Sequence, residues 1–237
     1  MKWAQITDKG LTREVNEDNM LVAPDLGLLA IADGMGGHQG GRIASKMALA
    51  TLEHELVRML RQPGELPKTL QDAVKIANSA VFTHANENPE LKGMGTTLTA
   101  CLYSDRQLFV AHVGDSRIYL LREKMIRQVT LDHSLVQELM QKDVISEEEA
   151  RSHPQRHMLT RALGAEPFVE VDSYQEPLQP GDQLLLCTDG LTRYLREPEL
   201  REVLLAGLEP ERTVQTLLGE ALKAGGADNI TLILACF

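Results

Sequence analysis

A chain of 237 residues with 43% hydrophobic and 24% charged residues has the composition of a globular protein able to bury a substantial core. Its formal net charge of −10 excludes a main role in wrapping nucleic acid or lying on anionic lipid, because both need a basic face. The opening MKWAQITDKG has no apolar stretch of the signal-peptide kind, and the most hydrophobic run, 26–32, is too short to span a bilayer, so a cytoplasmic location is expected.

In chain order, the first strand-length apolar run is 27–32. Residues 41–61 follow with Met47, Leu52, Leu56, Met59 and Leu60 at roughly helical spacing. After a loop marked by Pro63, Gly64 and Pro67, a second helical run carries Leu70, Ala73, Val74, Ala77 and Val81. The apolar runs 96–103, 108–113 and 117–121 come next with no helix between them, which favours antiparallel pairing over a βαβ repeat. The polar segment 132–164 has helical stretches, including the capping-box spacing of Ser146 and Glu149, but little long apolar periodicity. It is expected to form a small flap within a single domain spanning 1–237. A strand-length run at 183–187 precedes a helix after Pro210, with Val214, Leu217, Leu218, Ala221 and Leu222 on one face and Gly225-Gly226 as its stop. A strand over 230–237 closes the chain. Strands, a helical pair, strands, another helical pair and a last strand indicate an α+β fold of sheets covered by helices. No heptad or association motif occurs, and a monomer is expected.

Cys101, Cys187 and Cys236 each lie in a strand-like run without metal-ligand spacing and read as buried, reduced thiols. Neither CxxC nor HExxH is present, so any bound metal should have oxygen ligands. Several aspartates stand where an apolar run ends or begins: Asp33 closes LGLLAIA, Asp115 follows VAHVG, Asp189 follows LLLCT and Asp228 precedes NITLILACF. Strands aimed at a common edge would gather these side chains, and clustered carboxylates are tolerable only if cations neutralise them. Mg²⁺ or Mn²⁺ suits such a donor set. Asp33-Gly34 and Asp189-Gly190 are also common hairpin-turn pairs. A tight hairpin needs a second strand at once, whereas the first pair runs into MGGHQGG and a helix and the second into a charged, helix-like segment. The glycines of 34–41 serve either as a flexible loop or as a way for a backbone carbonyl to approach an ion.

Ordered blocks extend across nearly the whole chain: Arg13-Glu14-Val15-Asn16-Glu17-Asp18-Asn19, Ala32-Asp33-Gly34-Met35-Gly36-Gly37-His38, Gly95-Thr96-Thr97, Val113-Gly114-Asp115-Ser116-Arg117, Leu159-Thr160-Arg161-Ala162-Leu163-Gly164, Cys187-Thr188-Asp189-Gly190-Leu191 and Asp228-Asn229-Ile230-Thr231. Together they resemble the PPM family, the metal-dependent protein phosphatases of type 2C, in its short bacterial form. The resemblance implies a central β-sandwich of two mainly antiparallel sheets flanked by pairs of helices, a four-layer αββα arrangement with a metal centre at one end. By position, Asp33 would bridge two Mn²⁺ or Mg²⁺ ions, the Gly34 carbonyl would bind one, and Asp189 and Asp228 the other. Asp18, with Glu17, would hold waters on the metals. Arg13 would grip the substrate phosphate, and Asp115 corresponds to a ligand of a weaker third metal.

The implied reaction is hydrolysis of phosphoserine and phosphothreonine on proteins, reversing a serine/threonine kinase. The partners would be phosphorylated proteins rather than nucleic acid or membrane. Two cations about 4 Å apart share a water, lower its pKa and direct it at phosphorus. The metals and Arg13 would also neutralise the phosphoryl oxygens.

The sequence departs from the family at two positions. Met35 stands where animal members carry a histidine proposed as general acid, which leaves His38, another histidine or a metal-held water for that role. Arg193 stands where many relatives have an acidic residue, which argues against a third ion. Cys187 and Arg193 also have the Cys-x5-Arg spacing of cysteine-based phosphatases, although Leu186 replaces the expected histidine and Asp189 would put a carboxylate inside the phosphate cradle. A non-catalytic regulator would show eroded ligands, whereas Asp33, Asp189 and Asp228 are all present.

Overall fold

A computed structural model describes residues 1–36 and 40–237. The chain begins with strands β1 (Lys2–Asp8), β2 (Asn19–Ala23), β3 (Leu28–Ala32) and the short β4 (Gly34–Met35), followed by helices α1 (Gly40–Met59) and α2 (Leu66–Glu87). Strands β5 (Gly95–Thr96), β6 (Leu98–Ser104), β7 (Gln107–Val113), β8 (Arg117–Arg122) and β9 (Met125–Gln128) come next, then helices α3 (Leu135–Gln141) and α4 (Glu147–Ser152). The last third contains β10 (Asp172–Pro177), β11 (Gln183–Cys187), α5 (Asp189–Thr192), α6 (Glu197–Leu204), α7 (Pro210–Lys223) and β12 (Ile230–Cys236).

Two antiparallel five-stranded sheets, ordered β1-β12-β11-β8-β9 and β10-β7-β6-β3-β2, stack face to face. The side-chain period of two explains why central strands such as β3 are buried throughout. Leu28, Ala30 and Ala32 pack under Leu52 and Leu56 of α1 and Leu70 and Val74 of α2, while Leu29 and Ile31 meet Ile118, Leu186 and Ile233 of the opposite sheet. On the far side, Leu185, Leu232 and Leu234 pack against Leu200 of α6 and Val214 and Leu217 of α7. These three apolar layers account for the α+β, four-layer αββα arrangement. Burying a side chain such as Leu or Ile within them contributes about 1.5–3 kcal/mol.

Several sequence expectations shift in detail. The run expected as one strand over 96–103 breaks at Thr97 into β5 and β6, and that break serves the site described below. Strands β1, β2, β4, β9 and β10 are additions to the strands expected from the sequence. Cys236 is half-buried rather than buried. Helix α7 stops at the expected glycines: Gly226 takes a left-handed φ of 49° and donates to the Ala221 carbonyl at 3.0 Å. Between β9 and β10, Ser146 and Glu149 form the reciprocal capping box at the start of α4. Single bridges join Ser134 to Leu159 and Thr96 to Leu163, tying the ends of this segment together and to the sheets. Among the described residues, no helix is long and apolar enough to cross a membrane.

Candidate active site

Antiparallel pairing brings the aspartates together. Cys187 at the end of β11 lies opposite Leu232 near the start of β12, so Asp189 and Asp228 emerge at the same sheet edge. Asp8 at the end of β1 lies opposite Ile230, which delivers the following loop to that edge. Asn229 fixes the loop: its amide donates to the carbonyls of Lys9 (3.0 Å) and Val15 (3.1 Å), and its side-chain oxygen accepts from the Glu17 N–H (2.8 Å). Arg13, Glu17 and Asp18 are presented by this loop. From the other sheet, Asp33 leaves β3 with its N–H donating to the Thr97 hydroxyl (2.9 Å), while its carbonyl accepts from the Thr97 N–H and the Thr96 hydroxyl (both 2.9 Å). Gly34 permits a close approach: a Cβ there would lie 2.2 Å from the Gly41 carbonyl oxygen and 2.6 Å from that of Glu17.

A cleft of about 410 Å³ is lined by Arg13, Glu17, Asp33, Gly34, Asp115, Asp189 and Asp228, and also by His157, Arg161 and Arg193. A depression of similar size between β1 and α7 has Glu211 as its one charged side chain. Asp18 stands behind the cleft, where Oδ2 accepts from the Thr188 hydroxyl at 2.9 Å. His38, considered above as a general acid, lies outside the described residues. The Asp-Gly pairs are not hairpin turns: Gly34 opens β4 and Asp189 opens α5.

Burial pushes the Asp33 carboxyl well above the ordinary carboxylate range, and the charges of Asp18, Asp189, Asp115 and Asp228 push it further. Burial likewise raises Asp18 to about 7, although its bonds with Thr231 and Thr188 act in the opposite direction. Asp115 is raised well above its ordinary value by burial and then by Asp189. Asp189 and Glu17 are raised chiefly by burial, opposed by Arg193 and Arg13 respectively. Asp228 goes the other way, because its burial is outweighed by hydrogen bonding to Arg13 and the charge of Arg193.

Two arginines hold that carboxylate. Arg13 reaches Asp228 through Nε at 2.8 Å and Nη2 at 3.0 Å, while Arg193 reaches it through Nη1 at 2.5 Å and pairs with Asp189 through Nη2. Arg193, the residue that argues against a third ion, joins Asp189 to Asp228, and its positive charge also acts on the Asp115 carboxyl.

Glu17 Oε1, Asp18 Oδ1 and Asp189 Oδ1 are buried without a hydrogen-bond partner among the described residues. Buried carboxylate oxygens are strongly destabilising unless a donor or cation satisfies them. An all-oxygen donor set of this kind fits a hard divalent ion. Among the described residues no three His, Cys, Asp or Glu side chains converge on one point as they stand, and Arg193 lies between two of the acids that would have to do so.

The thiolate alternative fails on geometry. Cys187 is 0% exposed inside β11, and burial pushes its thiol up to about 12, so neutral pH supplies no nucleophile there. Thr97, Thr188 and Asn229, which position the acids, and His157 and Arg161, which complete the cleft wall, received no role from the sequence. Their signal was adjacency: each lies within or beside a motif block.

The family model for Protein phosphatase 2C matches residues 12–224. The chain is 41% identical over 233 residues to the serine/threonine phosphatase stp of Listeria innocua, covering 96% of this chain and 92% of that one. It superposes with a TM-score of 0.91 and 39% identity on the crystal structure of the Mycobacterium tuberculosis serine/threonine phosphatase PstP/Ppp, covering 98% of this chain and 97% of that one. The catalytic domain of serine threonine protein phosphatase PstP in complex with two manganese ions gives a TM-score of 0.88 at 38% identity, covering 98% and 96% of the respective chains.

Proposed function

The chain belongs to the protein phosphatase 2C family, and on that premise we propose that it hydrolyses phosphoserine and phosphothreonine on proteins at a centre for two Mn²⁺ or Mg²⁺ ions. The observation that carries this reading is the set of buried oxygens on Glu17, Asp18 and Asp189 that have no partner among the described residues, in and behind a cleft that also contains Asp33, Asp115 and Asp228. In this reading Asp33, the Gly34 carbonyl, Asp189 and Asp228 would hold the ions, and Asp18 and Glu17 would hold water on them. Asp115 would serve a third ion only weakly.

The ions supply Lewis acidity and bring a water into the nucleophilic range at neutral pH. The chain's own residues do the rest. Arg13, held by Asp228, places positive charge at the cleft for the phosphoryl oxygens. Thr97 fixes the Asp33 backbone, and the Thr188 hydroxyl holds the Asp18 carboxylate, so that carboxylate need not reorganise when substrate arrives. His157 in the cleft wall and His38 are the candidates for delivering a proton to the leaving alkoxide. A monomer acting in the cytoplasm on the products of a serine/threonine kinase completes the proposal.

The test is phosphate release from a phosphothreonine peptide by the purified chain with Mn²⁺ and with excess chelator. Turnover that needs the metal supports the reading. Turnover indifferent to chelation overturns it, and phosphopeptide binding without turnover identifies a regulator instead.

A further inference from the structure

Arg193 follows the short helix α5 and reaches back to Asp189, four residues earlier, with Nη2, while Nη1 reaches Asp228 at 2.5 Å. It therefore spans two carboxylates delivered by different elements, one at the head of α5 and one just before β12. The remaining oxygen of Asp228 is already engaged: Oδ1 accepts from Arg13 Nε at 2.8 Å and from the Asn229 N–H at 2.9 Å. Asp189 keeps Oδ1 buried and unpartnered among the described residues. A guanidinium satisfies such a pair with one positive charge and directed hydrogen bonds, whereas a divalent ion would satisfy it with two charges and direct coordination. Both cannot use the Asp189 and Asp228 Oδ2 atoms together. The Arg193 side chain is 28% exposed at the end of a four-residue helix, so it has an open route into the cleft.

We propose that Arg193 is a resident counter-ion of the Asp189–Asp228 pair, which a divalent cation must displace, so that Arg193 sets the Mn²⁺ concentration at which the centre fills. This rests on the assignment of Asp189 and Asp228 as ligands made above. It makes Arg193 an affinity-setting residue rather than a structural salt bridge, and two effects of opposite sign follow. Removing the guanidinium leaves Asp189 without its counter-charge beside an Asp228 still held by Arg13, and weakens the protein in chelator. It also removes the competitor and tightens metal binding. A purely structural arginine would lower stability without tightening the metal.

The experiment uses the full chain, wild type and Arg193→Gln, in a calorimetric Mn²⁺ titration and in thermal unfolding with chelator. The expected result is Mn²⁺ binding at least about tenfold tighter in Arg193→Gln. Its unfolding temperature in chelator should fall by about 2–4 °C. Arg193→Lys, which keeps the charge but not the fork, should bind with an affinity between the two. Unchanged or weaker Mn²⁺ binding in Arg193→Gln overturns the proposal. Asp189→Asn serves as the control: weakened Mn²⁺ binding there with no effect of Arg193→Gln overturns only the counter-ion role. If Asp189→Asn leaves Mn²⁺ binding intact, the ligand assignment fails and the counter-ion role fails with it.

Discussion

Thr188 and Asp18, 170 residues apart in the chain, are joined by a 2.9 Å hydrogen bond in which the hydroxyl donates to Oδ2, and the Thr231 N–H donates to the same hydroxyl at 3.0 Å. One side chain thus ties the end of β11 and the start of β12 to the loop that carries the acidic residues. It leaves the other oxygen of Asp18 buried and facing the cluster. Thr188→Val keeps the shape but strands the Thr231 amide and one carboxylate oxygen. We predict a loss of about 1–3 kcal/mol in urea unfolding. Phosphate release should fall about 10–100-fold, the range for losing a group that orients a ligand. Thr188→Ser should restore most of both.

Gly190 lies where a Cβ would sit 1.9 Å from the Asn229 carbonyl oxygen. Because Asn229 also holds the loop at Lys9, Val15 and Glu17, the clash would spread into the site. Gly190→Ala is predicted to lower stability by about 3 kcal/mol. A melting curve within 2 °C of wild type, or roughly half a kcal/mol for a chain of this size, would contradict this.

Much of this arrangement is legible in the sequence, and the omissions have physical causes. The central strands β3, β6, β7, β8, β11 and β12 carry uninterrupted apolar runs because both their faces are covered, and Asp33, Asp115, Asp189 and Asp228 stand out as the charges that interrupt or bound those runs. Of the strands absent from the sequence expectations, β4 is a two-residue piece of the glycine stretch, and β1, β2, β9 and β10 are the four edges of the two five-stranded sheets. Three of these edges, KWAQITD, MIRQ and DSYQEP, mix polar residues with apolar ones and lack a long hydrophobic signal, whereas β2 carries only the short apolar run MLVA before Pro24. The orientation of Arg193 was unreadable for a different reason. Sequence gives the four-residue helical offset from Asp189, but Asp228 comes within reach only through β11–β12 pairing.

Asp182 carries a pH-dependent part of the stability. Burial works against its charge, but the Arg122 guanidinium, at 2.9 and 2.6 Å, and the Gln179 N–H at 2.8 Å hold its carboxyl below the usual value. A carboxylate depressed in the folded state stabilises fully above the unfolded value of about 3.9 and loses that contribution as pH falls toward the folded one. Asp182→Asn should therefore unfold about 1.5–3 kcal/mol more easily at pH 7. The gap between variant and wild type should narrow as pH falls below about 4. A constant gap would show that the charge is not responsible.

Cys187→Ser separates the metal route from the thiolate route. The thiol is sealed within β11, and replacing it with a hydroxyl buries a polar group, so a stability loss of about 1–3 kcal/mol is expected. Metal-dependent phosphate release at a temperature where the variant is folded should stay within about threefold of wild type, well short of the more than hundredfold loss typical of removing a nucleophile.

Asp33→Asn tests the central claim most directly. Asp33 is the carboxyl on which burial and the charges of four other aspartates converge, and its backbone is held by Thr96 and Thr97 independently of the side chain. If the cluster exists to hold catalytic cations, Asp33→Asn should lose more than about a hundredfold in phosphate release from a phosphothreonine peptide with Mn²⁺. Its unfolding temperature in chelator should stay level or rise, because one of the mutually repelling charges is gone. Activity within tenfold of wild type, or lost activity explained by lower stability alone, would contradict the account.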